Sequence, residues 1–131
     1  TMKYLLRGWP IVDPYARYGF VQEMGNDRII GLSEAYFRTT DAMKEGSPSQ
    51  ILQRGEEAAL PPTLIVQGTA DNNLPVPVTE RFAADYRKAG GDLELEMFPD
   101  MPHLFGNTPG PDSDRAIALM KKFASRILSE G

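Results

Sequence analysis

Residues 63–67, Thr-Leu-Ile-Val-Gln, follow Pro61-Pro62 and end abruptly in Gly-Thr-Ala-Asp-Asn-Asn. In a strand, successive side chains point to opposite faces, so this run is apolar on both. Such a strand must be covered twice. The architecture that covers it is a parallel sheet with helices on each side. This one stretch therefore selects an α/β protein.

The neighbouring patterns fit that architecture. Residues 92–98, "DLELEMF", alternate Leu93, Leu95 and Met97 against Glu94, Glu96 and Phe98, which predicts an edge-like strand with one wet side. Residues 78–89 place Phe82, Tyr86 and Ala89 at helical spacing, with Gly90-Gly91 as a stop. Residues 112–129 open on Asp112-Ser113-Asp114, the acidic chemistry of a helix N-terminus. Ile117, Met120, Phe123, Ala124 and Ile127 then form one predicted apolar stripe. The order strand, helix, strand, helix predicts a βαβα unit over 61–131 with a right-handed crossover. Upstream, residues 4–7 and 9–12 also have strand character. Residues 13–60 read as a helical insertion, with helical patterns around 28–44, a Gly46-Ser47-Pro48 break and a short helix over 48–54. An insertion there is a natural lid or substrate-facing wall.

Composition removes several function classes. The 131 residues make one domain, 41% hydrophobic and 24% charged, an ordinary globular balance. A net charge of −4 with no Lys/Arg cluster argues against a nucleic-acid surface. With no cysteine and one histidine, thiolate chemistry is excluded and a metal site is poorly supplied. The opening "TMKYLLRGWPIV" is interrupted by Arg7 and ended by Trp9-Pro10, so it does not read as a signal peptide. Thr1 before Met2 reads as an expression remnant or an internal start. No stretch approaches the ~20 apolar residues of a membrane span. A cytoplasmic protein without cofactor, metal or membrane attachment is the expectation.

Two residues carry the candidate chemistry. Asp71 and His103 each follow a strand, and in parallel sheets functional groups collect beyond the strands' carboxyl ends. An Asp and a His held there can act as the orienter and base of a nucleophilic hydrolase. The carboxylate accepts the imidazole N–H and fixes the tautomer; the other ring nitrogen takes a proton from a serine hydroxyl. Each residue also has a plainer reading. Asp in "GTADNN" is ordinary turn chemistry, and a lone His in a Pro-flanked loop is commonly structural. Their shared placement at one sheet edge is what favours the chemical reading.

The segment "PPTLIVQGTADNNLPV…RFAADYRKAGGDLELEMFPDMPHLFG" resembles the C-terminal third of an α/β-hydrolase of the esterase/lipase type. The resemblance implies a partial α/β-hydrolase fold: about three parallel strands, six to eight of the family sheet, flanking helices and a helical cap over 13–60. It places the triad acid on Asp71, in a G-x-x-D loop, and the triad histidine on His103, with Phe105 as the aromatic two positions on. It is looser over 9–60. Gln67 stands where many relatives have His, a change expected to be harmless because that side chain is outside the triad.

The family's nucleophile, a serine in a G-x-S-x-G turn between a strand and a helix, is not in this sequence. The nearest match, Gly31-Leu32-Ser33-Glu34-Ala35, follows a short charged run and leaves no room before Asp71 for strand six and the cap. Ser33 therefore reads as a helix residue. The resemblance implies a serine carboxylesterase or lipase cleaving a small-molecule ester, of which this chain holds Asp71 and His103 without the serine or oxyanion hole, and is inactive alone. A prolyl-oligopeptidase-like peptidase and a non-catalytic binding protein on the same scaffold are the alternatives. "QGTADNN" fits no nucleotide-binding pattern. A strand at Tyr4–Val12 without its strand-five neighbour would expose backbone groups along its edge, predicting a homo-oligomer or association with the N-terminal half.

Overall fold

Among the described residues, four short helices, each announced by a capping residue, precede the sheet. They are α1 (Pro14–Glu23), α2 (Asp27–Phe37), α3 (Thr40–Glu45) and α4 (Pro48–Gln53). The computed structural model describes residues 13–130. The side chains of Asp13, Asn26, Thr39 and Ser47 accept hydrogen bonds from the N–H groups of Ala16, Ile29, Ala42 and Gln50. Each satisfies one of the donors that a helix start leaves unpaired. The helical pattern around 28–44 is thus two helices. Arg38, at φ 63°, turns the chain out of α2, and Thr39 caps α3.

Asp13 also ties this layer together. Its second carboxylate oxygen accepts the Ser47 hydroxyl at 2.5 Å, with both residues buried. One side chain therefore caps α1 and grips the residue that caps α4.

The sheet follows. Strands β1 (Thr63–Gly68) and β2 (Leu93–Phe98) pair in parallel, from Thr63 opposite Leu93 to Gly68 opposite Phe98, joined by α5 (Val76–Lys88). A 3₁₀ turn at Phe105–Asn107 leads to the last helix, α6 (Pro111–Glu130). The expected third strand, within residues 4–12, lies outside the described residues.

The two faces of β1 do what its sequence requires. On one, Ile65 and Leu93 pack with Phe82, Ala83 and Tyr86 of α5. On the other, Val66 packs beside Phe98, Phe105 and Ala116 of α6. Truncating a buried aromatic such as Phe82 would cost about 3–5 kcal/mol. The α5 stripe is Val78, Thr79, Phe82, Ala83 and Tyr86, with Ala89 exposed and Gly90, at φ 97°, stopping the helix.

Two expectations need correction. The second face of β2 is not simply wet. Phe98 is fully buried there, and Arg126 of α6 reaches Glu94 at 3.0 Å and Asp92 at 3.2 Å. The helix lies across that face, so alternation stops at Phe98. The apolar stripe of α6 is also rotated. Ser113 and Ala116 are buried and Leu119, Phe123 and Ile127 half-buried, whereas Ile117, Met120 and Leu128 are exposed. Two adjacent apolar rows share the helical period. The row with the small Ala116 is the one that comes close to Phe98 and Phe105.

At the carboxyl end of the sheet the two strands continue into loops that are stitched together. Thr69 N–H donates to Phe98 C=O at 2.9 Å and Ala70 N–H to Met101 C=O at 3.0 Å. Asp100 N–H donates to the Thr69 hydroxyl at 2.8 Å. Gly68 makes this possible, because a Cβ there would collide with the backbone carbonyl of Met101. Gly68→Ala should lower stability by about 1–3 kcal/mol, the typical cost of overpacking. Urea unfolding followed by circular dichroism measures it; a variant as stable as the parent contradicts this account of the stitched loops.

Candidate active site

The loop after β1 carries Asp71 and the loop after β2 carries His103, and the stitching brings them together. Asp71 Oδ2 lies 2.9 Å from His103 Nδ1. Asp71 Oδ1 accepts two backbone N–H groups, from Asn73 at 2.9 Å and Leu74 at 2.8 Å. One carboxylate oxygen thus closes the turn and the other meets His103. The Asp71 side chain is only 8% exposed, and His103 is 24% exposed. A charge so far out of water needs partners, and this carboxylate has three.

Asp71 accepts and carries no proton to give when ionised, so it holds His103 in the tautomer protonated on Nδ1. The basic lone pair then sits on Nε2, the ring atom that faces away from the carboxylate by the geometry of imidazole. An imidazole in this state can take a proton from a hydroxyl and return it to a leaving group.

The loop around His103 is bent sharply. Asp100 has φ 60° and Leu104 φ 58°. Asp tolerates the left-handed region; for Leu it is uncommon. The bend is held from below by Phe105, buried against Phe98 with ring centroids 4.8 Å apart. Arg115 of α6 sits over the Phe98 ring at 4.0 Å. The aromatic two positions after His103 is therefore an anchor for the His loop.

Two more residues hold the acid loop: Gln67, which the sequence marks only as a departure from the family pattern, and Arg17, which it does not single out. Gln67, at the end of β1, is buried; its Nε2 donates to Leu74 C=O at 2.8 Å, and its Oε1 accepts the Thr79 hydroxyl of α5. Arg17 of α1 donates from Nε to Asn73 C=O at 2.9 Å. Burial lowers the Arg17 pKa below the usual guanidinium value, opposed by the nearby Asp71 carboxylate. A buried polar side chain at the end of an apolar strand was the available signal for Gln67. Nothing local in "PYARYGF" marks Arg17.

Ser33 lies inside α2, where its hydroxyl donates to Ile29 C=O at 2.8 Å. The residues before it are helical, so there is no strand-to-helix turn at "GLSEA". Among the described residues no group of three or more His, Asp or Glu side chains is placed to hold a metal ion. No helix among them is long and apolar enough to cross a membrane.

The sequence pattern of the prolyl oligopeptidase family matches residues 2–131. Among solved structures, a thermophilic esterase from the Planctomycetes species Thermogutta terrifontis is similar, with 32% identity and a TM-score of 0.56. That match covers 66% of this chain and 30% of the esterase chain. The same esterase phosphoramylated by tabun aligns over 74% of this chain and 36% of its own, with 32% identity and a TM-score of 0.60. Its butyrate-bound form aligns over 66% of this chain and 31% of its own, with 32% identity and a TM-score of 0.56. This chain thus spans about a third of the length of the esterase it matches. No curated protein matches it significantly. The parallel β1–α5–β2 unit with α6 behind it is part of an α/β-hydrolase fold.

Proposed function

The chain belongs to the prolyl oligopeptidase family, and from that premise we propose that it supplies the acid and the base of a serine hydrolase. Asp71 is the acid and His103 the base. The observation that carries this reading is the 2.9 Å contact between Asp71 Oδ2 and His103 Nδ1, with Oδ1 already committed to two backbone donors. In the reaction, a serine hydroxyl gives its proton to His103 Nε2 as its oxygen attacks the substrate carbonyl. The tetrahedral oxyanion collapses, and His103 returns the proton to the departing alcohol or amine. Water, deprotonated by His103, then attacks the carbonyl of the acyl-serine ester; the acyl–serine bond breaks, the carboxylic acid leaves, and His103 returns the proton to the serine oxygen. Asp71 keeps its charge throughout and stabilises the imidazolium.

We assign a carboxylic ester as substrate. The solved esterase, recorded in butyrate- and propionate-bound forms, supports this. A peptide bond is the second reading, favoured by the family to which the chain belongs. The serine and the oxyanion donors come from outside these 131 residues, so the chain alone should be inactive. The exposed row Ile117, Met120 and Leu128 on α6 supports association, with the remainder of a hydrolase domain or with a second copy. In sedimentation equilibrium at tens of micromolar, the isolated chain should form dimers or larger species; a stable monomer contradicts the self-association.

A fluorophosphonate probe tests the catalytic assignment. The 131-residue chain should remain unlabelled, and stoichiometric labelling at Ser33 would overturn the assignment. In an assembly that includes the serine-bearing segment, p-nitrophenyl butyrate should be cleaved faster than a matched peptide anilide. There Asp71→Asn should lower kcat by about 10⁴-fold. A loss below tenfold removes Asp71 from the role of triad acid.

A further inference from the structure

The acid loop is gripped at two successive carbonyls by two different elements, and the two grips are not equivalent. Gln67 Nε2 donates to Leu74 C=O. The next residue is Pro75, so the peptide group that contains this carbonyl has no N–H to pass anything on. Arg17 Nε donates to Asn73 C=O at 2.9 Å. That carbonyl belongs to the same peptide group as the Leu74 N–H, which donates to Asp71 Oδ1 at 2.8 Å. Guanidinium, peptide and carboxylate therefore stand in one line of hydrogen bonds, and Asp71 Oδ2 extends it to His103 Nδ1.

We propose that Arg17 is a positioning residue that acts on Asp71 through the single peptide group between Asn73 and Leu74. The proposal rests on the assignment of Asp71 and His103 as acid and base. Hydrogen bonds in a chain polarise one another, and a charged donor at one end strengthens the next donor in line. A cation on the Asn73 carbonyl makes the Leu74 N–H a better donor to Oδ1. Oδ1 is held on the backbone side, and Oδ2 remains directed at His103. Arg17 is half-buried, so its charge is less screened than that of a surface arginine. It sits on α1, whereas the acid loop follows β1, so the first helix among the described residues is coupled to the orientation of the acid.

The Asn73 N–H is an internal control. It also donates to Asp71 Oδ1, at 2.9 Å, but belongs to the preceding peptide group, whereas the Arg17 hydrogen bond goes to the following one. Amide hydrogen exchange and amide proton shifts of Asn73 and Leu74 are compared in the full 131-residue chain and in Arg17→Met and Arg17→Lys. In Arg17→Met the Leu74 amide should exchange about tenfold faster or more, as expected for a lost bond to a charged donor. Its proton should move upfield, with a smaller response at Asn73. Arg17→Lys, which keeps a charged donor, should recover part of both effects. If Arg17→Met does not fold, Arg17→Gln, with a neutral donor of similar reach, is expected to give an intermediate Leu74 response. Equal responses at the two amides, no response at Leu74, or a lysine variant no better than the methionine one overturns the relay. The catalytic assignment fails separately, if Asp71→Asn leaves hydrolysis by the assembly with the serine-bearing segment intact while the Leu74 response to Arg17→Met in the 131-residue chain persists. A lost Leu74 response beside an intact effect of Asp71→Asn sinks only the relay.

Discussion

The close approach of Gly68 to the Met101 carbonyl is the constraint on which the site depends. Parallel pairing of β1 and β2 ends at Gly68 opposite Phe98, and the loops beyond could diverge freely from there. Instead they remain in contact, through Thr69 with Phe98 and Asp100, and Ala70 with Met101. Only a residue without a Cβ permits that approach. Two loops that belong to different strands become one rigid layer, and Asp71 and His103 are placed by the same backbone ladder. The proton transfer proposed for this pair needs positioning of this kind, since a misplacement of about 1 Å can cost 10²-fold in rate.

Within that layer Asp71 has two tasks that use different atoms. Oδ1 closes the turn by accepting from Asn73 and Leu74, and Oδ2 meets His103. The turn fixes the carboxylate, so the contact to His103 is not made at the expense of side-chain freedom elsewhere. The surrounding side chains extend the support outward. Gln67 and Thr79 brace the loop from the sheet and α5, Arg17 braces it from α1, and Phe105 holds the His loop against Phe98.

Much of this was legible in the residues, and what was not has physical reasons. The continuous apolar run of β1 correctly required helices on both faces, because a strand has only two sides and both needed cover. The loop positions of Asp71 and His103 followed from the strands. The α6 stripe was misplaced because Ile117 and Met120 obey the same period as Ala116, Leu119 and Phe123, and only the tertiary contact with Phe98 chooses between the rows. Phe98 itself looked like the outer side of an edge strand, since alternation cannot register a helix that arrives from much later in the chain. Gln67 looked harmless because it is no part of a triad; its buried amide nevertheless fixes the Leu74 carbonyl. The Arg17 contact spans 56 positions and obeys no local pattern.

The central claim, that Asp71 orients His103 through Nδ1, is open to one direct measurement, because His103 is the only histidine in the chain. Ring ¹⁵N resonances of His103 in its neutral form report which nitrogen carries the proton. The parent chain should show the tautomer protonated on Nδ1, donating to Asp71. In Asp71→Asn, the amide oxygen should keep the two backbone donors and turn its NH₂ toward Nδ1, which must then accept. The proton should move to Nε2. A mixed tautomer in the parent chain, or the same tautomer in both proteins, would contradict the account.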